Sequence, residues 1–509
     1  MNILYTLRRA GQLFGDNDAI VHESGNVTYR DFYRNTKHTA SFLLRHAAAG
    51  ERAAVLMLNR PEYLELYYAT ALAGVVIVPL NIRWGVSDFV FALIDSGSTM
   101  LVVDERFAPL VAEIQAQCPA LQTIVYAGDG DTPGGMVTYR HDAPELDPIR
   151  EPDPHDLAGL FYTSGTTGGP KAAMLSHGNL YANAASILMT DFPASTVYLH
   201  AAPMFHLADV ASLYLCVMRG TSHAFIKAFD AEACLQAIAH YKVTSITLVP
   251  TMVNLMVNHP KVSGYDLSSV RTLLYGASPM PLPLLRRTMA LLPECNFIQA
   301  YGMTEMSPVI SILSPDDHRR EWPDGVFNPV TSAGRPAPGV EARVVDDQDH
   351  DMPIGTPGEI IARGAARMLG YWKRDEVTTE VLRGGWMHTG DIGCFDDLGF
   401  LCIMDRKKDM IKTGGENVYS PEVEAALTGH PAVLEAAVIG VPHEKWGETI
   451  RAVVVLRPDL HATEMELIGY CRAHLTHFKC PTTVEFACDL PKGGTGKVQK
   501  NVLRQRHGR

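Results

Sequence analysis

Residues 163–171 read Thr-Ser-Gly-Thr-Thr-Gly-Gly-Pro-Lys. Thr163, Ser164, Thr166 and Thr167 supply hydroxyls, Gly165, Gly168 and Gly169 remove side chains, and Lys171 adds one positive charge. Glycines let a backbone take positive φ and bring its N–H groups against a ligand. Successive N–H groups and hydroxyls make a concave donor surface for anions, with the lysine as a point charge. That chemistry suits a polyphosphate. No Gly-x-x-x-x-Gly-Lys-Ser/Thr spacing occurs, so the ordinary P-loop is excluded. Phe161-Tyr162 reads as the end of a buried strand, while Met174-Leu175 and the run 179–187 read as a helix after the loop. The loop then sits between strand and helix, the usual setting of a nucleotide-binding loop. Plain surface loops share this composition, so the rest of the chain has to decide.

At 509 residues the chain is too long for one core, since single cores stop growing near ~250–300 residues. Two or three domains are expected. Apolar content of 47% and charged content of 20% exclude a disordered chain. No apolar run reaches the ~18 residues that a membrane span needs. The longest candidate, 66–80, is broken by Gly74 and Pro79 and reads as a helix end plus a buried strand at 75–78. Residues 1–14 lack the continuous apolar stretch of a leader and carry Arg8 and Arg9 inside an amphipathic pattern. The nine cysteines show no paired metal or redox spacing; they read as reduced, mostly buried thiols in a cytoplasmic protein. A net charge of −12 excludes a general nucleic-acid or anionic-membrane binder. Polyanions must be held by local donors and metal.

Up to about residue 150, helical spacing at 31–45 and 61–73 alternates with short apolar strands at 53–58, 75–78 and 100–103. This is a doubly wound α/β pattern, with no repeat of fixed period. After the loop, a strand at 197–202 runs into Pro203-Met204-Phe205-His206, and another at 245–249 ends at Pro250. The strand 270–275 leads into Gly276-Ala277-Ser278, a turn through which a flat ring can approach the backbone. Phe297-Ile298 precede Gln299-Ala300-Tyr301-Gly302-Met303-Thr304-Glu305 at a strand's C-terminal end, where open α/β sheets bind ligands. Tyr301 offers a ring face, Thr304 a hydroxyl donor, and Glu305 a carboxylate of the kind Mg²⁺ accepts. Strands at 341–346 and 359–363 suggest a small β-rich subdomain. Thr389-Gly390-Asp391 places a carboxylate after a tight glycine turn, suited to accepting two ribose hydroxyls. Asp405-Arg406-Lys407-Lys408-Asp409 reads as a solvated linker or hinge. Beyond it, 410–509 reads as a compact α+β unit, with Ser420 as N-cap and Pro421 at the first position of a helix over 421–427. Near the end, Pro491-Lys492-Gly493-Gly494-Thr495-Gly496-Lys497 is a glycine-rich loop presenting a lysine.

In this order, these motifs resemble those of the acyl-adenylate-forming superfamily, which includes acyl-CoA synthetases, peptide-synthetase adenylation domains and beetle luciferases. The resemblance covers essentially the whole chain and is strongest to acyl-CoA synthetases. It implies a large N-terminal domain, 1–406, of doubly wound α/β subdomains plus the β-rich subdomain, and a small mobile α+β domain, 407–509, hinged at Lys408. It also implies site roles. Thr163, Ser164, Gly165, Thr166, Thr167, Gly168 and Lys171 would hold ATP phosphates. Gly276, Ala277, Ser278, Ala300, Tyr301 and Gly302 would border adenine, Thr304 the α-phosphate, Asp391 the ribose, and Arg406 the ribose or phosphate. Glu305 would carry Mg²⁺. His206, Ala208, Ser212, Gly276, Ala277, Gly302 and Val309 would line the acyl pocket, and Lys412, Gly414, Gly415 and Glu416 the path of CoA. Lys497 would be the catalytic lysine. Two departures stand out: Ala172 replaces the family's usual glycine, and His206 stands where amino-acid-activating members carry aspartate.

The implied chemistry has two steps. A carboxylate attacks the α-phosphate of ATP, giving acyl-AMP and pyrophosphate, with Lys497 offsetting the repulsion of two anions. A thiol then attacks the mixed anhydride after a swing about Lys408. CoA is the expected thiol. The alternatives are a carrier-protein thiol acting in trans, a catalytically silent acyl-nucleotide-binding protein, and a luciferase-like monooxygenase. The pocket positions contain no arginine to pair a second carboxylate, which favours a hydrophobic fatty, aryl or alicyclic acid. Asp209, close by, reads as a paired or exposed carboxylate rather than a substrate selector. Dimers are common among such proteins; no motif here speaks to oligomeric state.

Overall fold

Short runs such as Arg52–Leu56, Val76–Pro79 and Met100–Val103 are buried along their length. Strands covered on both faces read as continuous apolar stretches, and these pair in parallel. The computed structural model describes residues 1–139, 141, 143–146, 151–163, 170–189, 196–320, 329–492 and 498–507. The chain divides into two compact units, Met1–Ala342 with Ala362–Met387, and Arg343–Ile361 with His388–Arg509.

The first unit holds two large sheets. The eight-stranded sheet has the order Gly370–Tyr371, Lys171–Ser176, Leu157–Thr163, Val76–Pro79, Arg52–Leu56, Met100–Val103, Thr123–Tyr126, Val137–Thr138. The nine-stranded sheet runs Arg335–Pro336, Val309–Leu313, Asn296–Gly302, Thr272–Gly276, Ser245–Leu248, Val197–His200, Ser222–Phe225, Asp18–Ile20, Val27–Thr28. Its central strands are parallel, so their C-terminal ends share one edge. The helix Pro61–Ala73 is buried from Tyr63 to Ala73, with no polar face, as expected of a helix enclosed by other elements.

One expectation fails here. Met174-Leu175 is not helical: Lys171–Ser176 is a strand, antiparallel to Leu157–Thr163. The loop therefore joins two antiparallel strands, and the helix begins only at His177, where Ser176 accepts the Asn179 N–H in a capping box. Ala172 to Leu175 have good helix propensity, but the strand is paired on both edges, by Leu157–Thr163 and by Gly370–Tyr371, and that pairing decides.

The second unit contains most of a four-stranded sheet ordered Val340–Val345, Gly358–Gly364, Met387–Phe395, Leu401–Arg406. It also contains a five-stranded sheet built around the long hairpin Val433–His443 and Gly447–Leu456. The helices Ser420–Thr428, Glu464–His474 and Lys500–His507 supply Val423, Leu427, Leu467 and Leu503 to its cores. Among the described residues, no helix is long and apolar enough to cross a membrane. All nine cysteines are free.

Candidate active site

In the first unit, Thr163 closes its strand and donates to the Lys171 carbonyl at 3.4 Å, which fixes the two ends of the glycine-rich loop. Ser164, Gly165, Thr166, Thr167 and Gly168 lie outside the described residues, as does Lys497. The Lys171 ammonium sits 5.7 Å from the centre of the Tyr371 ring, within reach of a cation–π contact. The Tyr371 phenol donates to Glu305 Oε1 at 2.6 Å. Burial and the Glu305 charge together push the Tyr371 pKa far up, so the phenol remains a donor. Glu305 is buried, at 5% exposure, in the short turn Thr304–Met306, and its carbonyl accepts the Met368 N–H at 2.8 Å. A cation, a phenol and a carboxylate thus converge from segments far apart in sequence. Tyr371 escaped the sequence reading because nothing local to Gly370-Tyr371-Trp372 points to Glu305.

The turn carrying Thr304 and Glu305 follows the strand Asn296–Gly302 directly. Gly302 lies opposite Val309 on the neighbouring strand. A Cβ on Gly302 would stand 1.8 Å from the Pro308 carbonyl oxygen, and one on Gly276 would stand 2.2 Å from that of Ala300. Both positions need glycine for close backbone approach. Gly276 pairs with Ala300, Ala277 takes φ +64°, and Ala300 and Tyr301 are half-buried. Gly276, Ala300, Tyr301 and Gly302 therefore gather on the C-terminal edge of adjacent strands, where open sheets bind ligands.

His206 precedes the helix Leu207–Arg219, and its carbonyl accepts the Asp209 and Val210 N–H groups. Desolvation first, and the Arg83 cation second, pull its pKa down to about 4, which leaves a neutral imidazole at neutral pH. Ala208 and Ser212 are one turn apart on this helix, and Ser212 Oγ lies 3.0 Å from Thr247 Oγ1. Asp209 is fully buried and paired: it accepts from the Tyr198 phenol at 3.0 Å and lies 2.6 Å from His200 Nδ1.

In the second unit, Asp391 lies inside the strand Met387–Phe395, not after a tight turn. Gly390 at φ +70° bends the strand without reversing it, its carbonyl accepts the Lys407 N–H at 2.8 Å, and the ladder with Leu401–Arg406 starts at the next residue, Asp391. Arg406 faces Asp391 across the ladder, with Nε 3.3 Å from Oδ1. Residues 405–409 are not a plain solvated linker either. Asp405 and Asp409 are buried, and Lys407 Nζ holds Asp347 at 2.8 Å and Glu359 at 3.1 Å. Partial burial lowers the Lys408 pKa, with Arg406 and Arg504 adding to the effect. Lys412, Gly414, Gly415 and Glu416 form a hairpin between Ile411–Thr413 and Glu416–Val418, with Gly414 at φ +58° and Gly415 at φ +90°. Ser420 is not the N-cap of its helix. The helix begins at Ser420, and the Asp405 carboxylate accepts the Ser420 N–H at 2.7 Å.

Mg²⁺ takes one or two carboxylates alongside phosphate oxygens and water. A single buried carboxylate, Glu305, with the Lys171 ammonium at the same Tyr371 ring, fits that demand. Among the described residues, no cluster of three or more His, Cys, Asp or Glu side chains offers an all-protein metal site.

The AMP-binding enzyme family matches residues 7–372, and the AMP-binding enzyme C-terminal domain matches 422–497. The chain belongs to this family. It is 38% identical over 493 residues to a feruloyl-CoA synthase of Amycolatopsis sp, covering 96% of each chain. It is 34% identical over 499 residues to a fatty acid–[acyl-carrier-protein] ligase of Streptomyces coeruleorubidus, covering 96% of this chain and 93% of that one. Among solved structures, o-succinylbenzoate CoA synthetase of Bacillus subtilis, bound to its acyl-adenylate intermediate, superposes with a TM-score of 0.85 at 30% identity, covering 99% of this chain and 98% of that one.

Proposed function

We propose that the chain is an AMP-forming carboxylic acid–CoA ligase acting on a hydrophobic fatty, aryl or alicyclic acid. The observation that carries this reading is the convergence of Lys171, Tyr371 and buried Glu305 in a member of the AMP-binding family. In this reading the acid's carboxylate attacks the α-phosphate of ATP and releases pyrophosphate. The CoA thiolate then displaces AMP, leaving acyl-CoA. Residues 163–168 and Lys171 hold the phosphates, Thr304 the α-phosphate, and Glu305 one Mg²⁺. Mg²⁺ supplies charge neutralisation on the pyrophosphate side. Gly276, Ala277, Ser278, Ala300, Tyr301 and Gly302 receive adenine, Asp391 the ribose, and Arg406 the ribose or phosphate. Lys497 bridges the approaching anions.

A boundary at 406/407, with Lys408 as hinge, lets residues 407–509 turn between the two half-reactions, so that Lys412, Gly414, Gly415 and Glu416 reach the pantetheine arm in the second. The neutral His206, small Ala208, Ser212, Gly276, Ala277 and Gly302, and apolar Val309 would form a pocket without a fixed charge, which supports a hydrophobic acid. Free cysteines throughout the chain agree with a cytoplasmic location.

The similarity to a carrier-protein ligase supports one second reading, transfer to a carrier-protein thiol. A carboxylic-acid panel with ATP and Mg²⁺, with and without CoA, read by mass spectrometry, separates the two. Acyl-CoA formed only in the presence of CoA supports the ligase. Acyl-AMP that accumulates without transfer to CoA supports the carrier-protein reading, and neither product with any acid refutes both.

A further inference from the structure

Asp405, in the strand Leu401–Arg406, precedes Lys408 in the chain, and its carboxylate reaches a helix that follows it. Asp405 Oδ2 accepts the Ser420 N–H at 2.7 Å and the Ser420 hydroxyl at 2.6 Å. It caps the helix Ser420–Thr428 from outside, where a carboxylate meets both an orphan donor and the positive end of the helix dipole. Ser420 and Asp405 are buried.

Lys500 extends the same network. Its ammonium donates to Ser420 Oγ and lies 2.7 Å from Glu424 Oε1, with only 13% of the side chain exposed. Glu424 Oε1 also accepts the Val438 N–H at 2.8 Å. Lys500 opens the helix Lys500–His507, three residues after Lys497. One turn on, Arg504 donates to the Lys408 carbonyl at 3.3 Å and faces Asp409 Oδ1 at 2.9 Å. The chain on either side of 493–497 is tied by a Lys492–Val498 bridge and by the Gln499 N–H donating to the Pro491 carbonyl at 2.8 Å. The helix Lys500–His507 is thus fastened both to the hinge residue and to the stem of the lysine loop.

We propose that Asp405 and Ser420 form a latch across Lys408, with Lys500 as a positioning residue that holds the Ser420 hydroxyl toward Asp405, and that this latch keeps residues 409–507 in one of the two catalytic arrangements and releases them for the other. The proposal rests on the ligase reading and its hinge. A turn about Lys408 carries Ser420, Glu424, Lys500 and Arg504 together, because all four follow the hinge, and their mutual contacts survive. The Asp405 contacts do not. Their loss frees a helix N-terminal N–H and a hydroxyl, so the latched arrangement is favoured by two hydrogen bonds to a charged group, and the released one bears that cost.

The test uses the full chain and the best acid of the panel. Adenylation is read by acid-dependent ATP–pyrophosphate exchange, and thioester formation by mixing supplied acyl-AMP with CoA. Asp405→Asn and Ser420→Ala are expected to shift the ratio of the two rates by roughly tenfold or more, slowing one half-reaction while the other holds or rises. Loss of both by the same factor, or no change, overturns the latch. Lys500→Met could strand Glu424 and unfold the unit, so Lys500→Arg accompanies it. Arginine keeps the charge and should restore most of the wild-type ratio; a ratio as disturbed as in Asp405→Asn counts against a charge-mediated latch. A wild-type protein that performs neither half-reaction removes the ligase reading itself, and the latch with it.

Discussion

Gly302→Ala tests whether the turn bearing Thr304 and Glu305 is placed by the close approach of two strands. A Cβ at Gly302 would stand 1.8 Å from the Pro308 oxygen, 2.8 Å from its carbon and 3.0 Å from the Ile310 nitrogen. Ordinary contact begins near 3.4 Å, so relief demands a shift of about 1.6 Å, the difference between 3.4 and 1.8 Å. The obstacle is backbone, which cannot swing aside like a side chain. The hydrogen bond from the Met303 N–H to the Pro308 carbonyl, now 2.8 Å, lies between the same two segments and would stretch with them. Overpacking of this kind costs roughly 1–3 kcal/mol, and the hydrogen bond about 1 kcal/mol more. Thr304 and Glu305 follow immediately, and displacement of catalytic groups by about 1 Å costs on the order of 100-fold in rate. The expected result is a fall of about 100-fold in ATP–pyrophosphate exchange together with a lower unfolding midpoint. Gly264→Ala, where an added Cβ meets nothing within 4 Å, is the control. Exchange within threefold of wild type, with an unchanged midpoint, would refute the argument.

Asp209→Ala breaks a fully buried pair with His200 and Tyr198, at a cost of roughly 3–5 kcal/mol. The unfolding midpoint should drop by roughly 6 °C or more, while the relative rates on hydroxylated and plain acids stay constant; a changed preference at unchanged stability would make Asp209 a selector. His177 and His318 are buried neutral, with burial pulling their pKa from 6.5 to about 4. The unfolded chain therefore binds protons that the folded one refuses, so stability present above pH 6.5 is lost as pH falls toward 4, by up to roughly 3 kcal/mol per group. His318→Gln should flatten the fall in unfolding free energy between pH 7 and 5, and an unaltered slope contradicts the assignment. Glu305→Gln keeps the size and the acceptor for Tyr371 but removes the charge. Exchange should fall on the order of 100-fold with a midpoint equal to or above wild type; retained exchange with reduced stability would make Glu305 a structural residue.

Much of the fold was legible because buried parallel strands leave unbroken apolar runs and amphipathic helices leave spaced ones. The misreadings came where distant partners override local signals. Ala172 to Leu175 look helical until both edges of their strand are seen to be paired. Ser420 before Pro421 looks like an N-cap, yet Asp405, fifteen positions earlier, supplies the acceptor. Gly390 looks like a turn, but the strand Met387–Phe395 continues through it, and its ladder with Leu401–Arg406 opens one residue later, at Asp391. Lys171, Glu305 and Asp391 could be proposed because each stands in a motif contiguous in the sequence. Tyr371 could not, since its meaning lies in a carboxylate 66 positions away.

These residues do not all argue for function with equal force. Gly276 and Gly302 would be needed at their positions by strand packing alone, because a carbonyl oxygen of the adjoining chain occupies the space of a side chain. Their presence is explained before any ligand is considered. Asp391 and Arg406 form a cross-strand ion pair that a sheet could carry for its own sake. Glu305 is different. Packing alone would put an apolar side chain in a turn this buried, since taking a carboxylate out of water is costly and an apolar group there is not. A charge kept in such a place is best explained by something that binds there and is itself strongly charged. Lys171 beside the same Tyr371 ring extends that logic to a ligand carrying both signs, a polyphosphate with its cation.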